Sequence, residues 1–431
     1  MKNRMRRKTG RMAVWKQPIA VFFCLCCMMA ASAAGQESGV GSLSSNGEFQ
    51  RSGVNSDEAI QVGPFIFSPA LEIAWQDRDN IFFTPDNEIN DQLILIRGQL
   101  LFELPIYESY VRFSYTPQYR DYKDYNFEDK WQHFFDAAAA FEFSSGLTLN
   151  LAYSYIIGNL ETREVDPGGE LVFGDSNFDK QWARVSGDYW ATGRDGISFG
   201  ASWEDLNRED PQLFYDYTRL TGTVGWIHQM SPILVMDVSY GVIDFDAQNT
   251  PDENNDFRDS LSHSLTLGFR GQINPVIATE IRVGYGIVQY DPAPDQPQVE
   301  DFKGAILNGF ISWDMAHGSV LRLDLLRMPY PSNYGDNANY VATGASLIYS
   351  IDRGNVFGQL RGRFQNNDYT RPDLNTGEYR SDDIYTFGAG LGYRFTYYLS
   401  LWGSYLYEDR DSLYQYSYNA STFTLGLVVG F

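Results

Sequence analysis

From Phe65 onward, apolar and polar side chains alternate in segments of roughly eleven to fourteen residues, separated by polar connections. The pattern is plainest near the end of the chain. Tyr385, Phe387, Ala389, Leu391, Tyr393 and Phe395 alternate with Thr386, Gly388, Gly390, Gly392 and Arg394. A period of two puts the first set on one face of a strand and the second on the other. Leu399, Leu401, Gly403, Tyr405 and Tyr407 repeat it, and so do Ser421, Phe423, Leu425, Leu427, Val429 and Phe431. Eighteen strands are predicted, near 65–77, 91–104, 109–122, 131–143, 147–158, 179–190, 196–206, 214–227 and 233–245, then 260–271, 276–290, 303–314, 319–327, 339–351, 355–366, 382–395, 399–410 and 419–431.

The connections alternate as well. Ser144-Ser145-Gly146, Asp352-Arg353-Gly354 and Thr396 to Tyr398 are short turns, whereas 159–178, 246–259, 291–302 and 367–381 are long and polar. Short turns at one end and long loops at the other are the arrangement of an up-and-down barrel, and an even strand number returns both ends of the barrel to the periplasm. The fold class expected is therefore all-β, a transmembrane antiparallel barrel of about 18 strands. Lipid cannot hydrogen-bond an open sheet edge, so the segment 65–77 should pair with 420–431.

Composition changes this picture little. With 29 Tyr, 29 Phe and 39 Gly, the chain has no stretch after its first 35 residues that approaches the length of a membrane helix. The N-terminus does add something: Lys2, Arg4, Arg6, Arg7, Lys8, Arg11 and Lys16 precede an apolar run from Ile19 to Ala31 and the small residues Ala31 to Ala34. That is the pattern of a secretory signal, assigned to 1–34, followed by a Ser- and Gly-rich periplasmic tail at 35–63 and the barrel at 64–431. A barrel-plugging role is the alternative for the tail. Cys24, Cys26 and Cys27 all fall in the signal, so the mature chain is expected to carry neither disulfides nor thiolate metal sites. Seven of the 33 basic residues and none of the 55 acidic ones lie in the signal, leaving 26 against 55, a net of −29. Such a balance excludes nucleic acid as the partner, and much of the acid sits in the connections, as solvated loops require.

Assigning the apolar faces to lipid leaves a polar face for the lumen. On it fall Arg97, Arg112, Arg120, Arg184, Arg219, Arg270, Arg282, Arg322, Arg361, Arg363 and Arg394. Glu72, Glu103, Asp136, Glu142, Asp188, Glu204, Asp237, Glu280, Asp324 and Glu408 share that parity. One reading is structural: the charges pair across strands and stiffen a hydrated wall. The other is an arginine-lined conduit favouring anionic solutes, for which Arg97, Arg184, Arg219, Arg282, Arg361 and Arg363, with Glu280 and Asp237, are the candidate lining.

Other chemistry is thinly represented. Of the four histidines, His133 and His263 take the lipid-facing parity and His228 and His317 fall in predicted turns. Ser262 and Ser264 flank His263 but point to the opposite face, so no hydrolase site is expected. The acidic run 252–256 lacks the spaced ligands, Gly and closing Glu of a calcium loop. No enzyme, cofactor or metal is expected.

Pro69-Ala70-Leu71-Glu72-Ile73 followed by Asp77-Arg78-Asp79-Asn80-Ile81-Phe82 resembles the first strand and Asp-Asn loop of the outer-membrane barrels of the beta-barrel porin 2 (BBP2) type. The strand Leu399 to Tyr407, then Arg410-Asp411-Ser412 and the closing strand ending in Phe431, is similar to the end of those proteins. The resemblance implies an outer-membrane location and a conduit for a hydrophilic solute, with polysaccharide or exopolysaccharide export as its associated role. It implies as partners outer-membrane lipid and lipopolysaccharide, the barrel-insertion machinery and periplasmic polysaccharide-export components. The alternatives are a general diffusion porin and a closed structural or adhesive barrel. Phe431 is expected to act as the membrane-insertion signal. Replacing it with a polar residue should lower the amount of heat-modifiable barrel recovered from the outer membrane, and equal amounts would contradict that role.

Overall fold

The computed structural model describes residues 59–125, 131–159, 170, 177–209, 215–248, 258–290, 299–315, 318–333, 337–372 and 377–430. The expected signal, most of the expected tail, the acidic run 252–256, His317 and Phe431 lie outside the described residues.

Among the described residues there are nineteen strands. They are β1 (Ile60–Val62), β2 (Phe65–Arg78), β3 (Asp91–Ile106), β4 (Ser109–Tyr122), β5 (Trp131–Glu142), β6 (Leu147–Asn159), β7 (Asn177–Trp190), β8 (Asp195–Arg208), β9 (Asp216–Ser231) and β10 (Leu234–Gln248). There follow β11 (Ser260–Asn274), β12 (Ile277–Tyr290), β13 (Phe302–Met315), β14 (Ser319–Pro331), β15 (Asn339–Arg353), β16 (Val356–Pro372), β17 (Tyr379–Arg394), β18 (Leu399–Asp411) and β19 (Tyr418–Gly430). Each strand from β2 to β18 pairs antiparallel with the next, and β19 returns to β2 with Thr422 opposite Arg78 and Gly430 opposite Ala70. The eighteen strands β2 to β19 thus form a closed barrel, and no described helix is long and apolar enough to cross a membrane. Closure leaves the wall without an open sheet edge, which the bilayer demands.

The period-two pattern decides the two faces. Leu391, Leu425, Phe387, Leu360 and Val224 are exposed on the outside. At the end of the barrel that carries the short turns, Trp226, Trp313, Tyr393 and Phe395 are exposed, and Trp131 is exposed at the loop end, stacking near His133 and Tyr119. Aromatic side chains form such girdles at the two membrane interfaces, where the polar tips of Trp and Tyr reach water. His133 and His263 lie on this outer face, where their Nδ1 atoms hydrogen-bond with the hydroxyls of Tyr115 (3.0 Å) and Tyr240 (2.8 Å).

Several strands run past their predicted ends. β9 continues to Ser231, so His228 lies in a strand and not in a turn, where its Nδ1 sits 2.9 Å from Asp195. β14 continues through Pro329 and Pro331. Both prolines lie beyond the last β13 pairing, Leu307 with Arg327, so their missing N–H falls where that edge of the strand has no ladder to complete. β16 runs to Pro372 through Asn366, Asn367 and Asp368, polar residues that end a membrane pattern but not a ladder rising above the bilayer. At the N-terminal side, Ile60–Val62 belong to the segment expected to be tail, yet they form β1, which folds back on β2 as a hairpin around Gly63 at φ +63°.

Candidate functional site

The enclosed face is identified by contacts that no neighbouring pair could make. Arg270 on β11 pairs with Asp188 on β7, with three strands of wall between them, so the bond closes through the interior. Cross-strand registers then place the remaining charges. Glu72 lies opposite Arg97, Glu103 opposite Arg112, Glu204 opposite Arg219 and Glu280 opposite Arg270.

Each predicted lining residue has a definite setting on that face. Arg97 lies 3.6 Å from Glu72 and donates through Nε to Gln118 Oε1 at 2.7 Å. Arg184 is half-buried between Ala152 and Ser202 on the adjoining strands. Arg219 pairs with Glu204, which is also 2.9 Å from Lys180, so one buried carboxylate answers two cations. Arg282 reaches Glu280 at 3.2 Å and Asp237 at 3.6 Å. That second contact crosses β11, and it is possible because Asp237 lies in the space a side chain on Gly268 would fill. Arg361 is buried, and Arg363 donates to Gln365. Ser262 and Ser264 share the inner face with Thr266, while His263 points out toward Tyr240, so no Ser–His pair forms there. Among the described residues no cluster of His, Asp or Glu side chains is arranged to hold a metal ion.

Access to this wall is uneven. At mid-height Asp136 on β5 and Thr223 on β9 are exposed, and the Arg322 side chain is 42% exposed. At the turn end Phe357, Trp402 and Val428 form a buried interior cluster. The loop end is fuller still, and here the sequence pattern missed the residues that matter. The β2–β3 connection folds inward and buries Ile81 against Ala74, Leu93, Leu95 and Tyr122. Asn80 holds that fold: at φ +50° its Nδ2 donates to the carbonyls of Thr84 (2.8 Å) and Asn419 (2.9 Å), and its Oδ1 accepts from the Thr84 N–H (2.9 Å).

Two further contacts cross the loop end. From the β6–β7 connection, the buried Glu170 carboxylate accepts from Ser332 Oγ at 2.8 Å, the Asn333 N–H at 2.6 Å and the Tyr369 hydroxyl at 2.7 Å. From the β8–β9 side, Tyr215 donates its hydroxyl to the Ser332 carbonyl at 3.0 Å and Arg208 reaches Asn333 at 3.4 Å. Tyr369 also joins a buried ion network in which Arg380 donates to both oxygens of Asp382, at 2.8 and 2.6 Å, and stacks over the Tyr369 and Tyr416 rings. Burying such charges is tolerable only when opposite charge lies beside them, as Asp382 lies beside Arg380.

A family model described as "Putative beta-barrel porin 2" matches residues 216–431, half of the chain. The chain belongs to this family. The match begins at the first residue of β9 and covers the wall that carries Arg219, Asp237, Glu280, Arg282, Arg361 and Arg363, whereas Arg97 and Arg184 precede it. No curated protein matches the chain. Among solved structures it is similar to OccAB4 of Acinetobacter baumannii, at 10% identity over 88% of this chain and 100% of that one, with a TM-score of 0.46. OpdQ of Pseudomonas aeruginosa is similar at 10% identity over 86% of this chain and 100% of that one, TM-score 0.46. The siderophore receptor PirA of the same organism is similar at 10% identity over 85% and 80%, TM-score 0.42. This porin-family member is an outer-membrane β-barrel: its closed wall turns an apolar, aromatic-edged face to lipid and a polar, charged face inward.

Proposed function

We propose that this barrel is a channel for small hydrophilic solutes. The observation that supports it is the combination of a charged inner wall, accessible at Asp136, Thr223 and Arg322, with contacts that span the loop end from several sides. A small solute meets such contacts only in passing, whereas a polysaccharide strand would have to hold them apart throughout its transit. Polysaccharide export, with periplasmic export components as partners, is the reading the family resemblance suggests, and it ranks second for that reason. A closed structural barrel is the third.

Planar-bilayer conductance of the purified protein, with liposome swelling in sugars of rising size, separates the three. Swelling with monosaccharides and exclusion of long oligosaccharides is expected; equal passage of both would favour the polymer conduit, and no conductance at all the closed barrel. Arg97, Arg184, Arg219, Arg282, Arg361 and Arg363, with Glu280 and Asp237, are proposed to set ion preference. The double change Arg361→Ser and Arg363→Ser should move the permeability ratio toward cations by about twofold to fivefold, the scale of one or two screened charges. An unchanged reversal potential would remove this pair from the role.

A further inference from the structure

The outer wall carries a groove of about 470 Å³ in the face that meets lipid. Gly358 on β16, Ala389 on β17 and Gly403 on β18 form its floor, and Leu360, Leu391 and Tyr405 stand around them. Strand register makes the shape. On one cross-strand row Leu391 lies between Gly358 and Gly403, and on the next Ala389 lies between Leu360 and Tyr405. Leu360 and Leu391 are exposed on the outside of the barrel, and residues directly opposite them share that face. Three small residues among large ones thus leave a gap in an otherwise apolar surface.

Toward the short turns the groove ends in polar groups. Arg353 lies opposite Val356, and Val356 opposite Tyr393. Val356 and Tyr393 are exposed on the outer face, so Arg353 points outward with them, and it too is exposed. Its neighbour Asp352 is engaged by Arg394, and Arg353 has no ion-pair partner among the described residues. Arg353 is two residues, about 7 Å of strand, beyond Ile351, which lines the groove opposite Gly358. Tyr393 accepts from Asn355 Nδ2 at 3.4 Å, which leaves its own hydroxyl hydrogen to donate. It belongs to the aromatic girdle, so this row sits at the height of lipid headgroups.

From this arrangement we propose that the groove and Arg353 bind one anionic phospholipid of the periplasmic leaflet, its acyl chain over Gly358, Ala389 and Gly403 and its phosphate between Arg353 and Tyr393. The groove by itself selects nothing, because every acyl chain in the bilayer is as apolar as its walls. The charge selects. Arg353 and Tyr393 stand two strands apart, about 10 Å, and two long side chains converge on a phosphate across that span. A second copy of the barrel suits the groove less well. Copies in one membrane share an orientation, so a twofold pairing through this face brings two unpaired Arg353 side chains together. The proposal uses only the outer wall and stands apart from the channel reading.

The test is native mass spectrometry of the detergent-purified protein, titrated with phosphatidylglycerol or with phosphatidylcholine of the same acyl chains. One phosphatidylglycerol retained per barrel is expected, bound about fivefold more tightly than phosphatidylcholine, the scale of one basic side chain beside an anionic headgroup. Arg353→Gln should bring the two lipids to equal affinity. Gly403→Leu should weaken both by filling the groove. A Cβ on Gly403 meets only Thr424 O at 3.6 Å and Leu425 Cδ1 at 3.8 Å, ordinary contacts, so wild-type heat modifiability is expected in this variant as in the first. Equal binding of the two lipids by the wild type, a preference unchanged in Arg353→Gln, or undiminished binding in Gly403→Leu would each overturn the site. Dimers free of lipid would assign the groove to a second copy instead.

Discussion

A barrel carrying Gly309→Val is expected to be lost from the outer membrane. Gly309 sits inside β13 at φ +150°, a backbone conformation that side chains other than glycine rarely adopt. A Cβ there would collide with the Glu280 carbonyl oxygen and the Ile281 Cα, backbone atoms of the β12–β13 ladder that cannot yield without parting the strands. Strain at such a position costs on the order of 1–3 kcal/mol before any clash is counted. In lipid, a parted ladder exposes N–H and C=O groups that have no water to turn to. Heat-modifiable protein at the outer membrane should therefore fall at least about tenfold, each tenfold corresponding to about 1.4 kcal/mol. Gly362→Ala is the control, because a Cβ at that position meets nothing within 4 Å. Wild-type amounts of folded Gly309→Val barrel would show that β12 and β13 are not paired as described.

Glu170→Ala should raise single-channel conductance while leaving the barrel itself folded. The Glu170 carboxylate is fully buried and accepts three hydrogen bonds, from Ser332, Asn333 and Tyr369. Its removal strands three buried donors, at about 1–3 kcal/mol each and not additively. None of that loss falls on the strand ladders, so heat modifiability should be retained. The contact that loosens joins the β6–β7 connection to β16 and the β14–β15 connection, across the loop end of the interior. Tyr369→Phe removes one of the three bonds and keeps the ring under Arg380, so a smaller rise is expected. Conductance equal to wild type in Glu170→Ala would show that this contact does not limit passage.

The strands, their number and the two faces were legible in the sequence because each depends on a signal no longer than the strand itself. Tyr385, Phe387 and Leu391 alternate with Thr386, Gly388 and Gly392, and a period of two leaves a half-buried segment only one way to turn. Eighteen such segments with alternating short and long connections imply the closed barrel that pairs Thr422 with Arg78, since lipid allows no open edge. Where the membrane constraint ends, so does the legibility. β16 runs on through Asn366 and Asp368, and β14 through two prolines, because above the bilayer a ladder needs only hydrogen bonds and no apolar face.

What filled the barrel was decided by tertiary structure alone. Glu170 and Tyr369 meet from 199 positions apart, and Asn80 bonds the carbonyl of Asn419 from 339 positions away. No local pattern marks such partners. Parity assigns a side chain to the inner face, but its height on that face is set by strand register. What opposes it depends on how the wall curves and which connections fold inward. The sequence alone therefore determined which residues could line the interior, and three-dimensional closure determined which of them are covered, which are paired and which remain open to a solute.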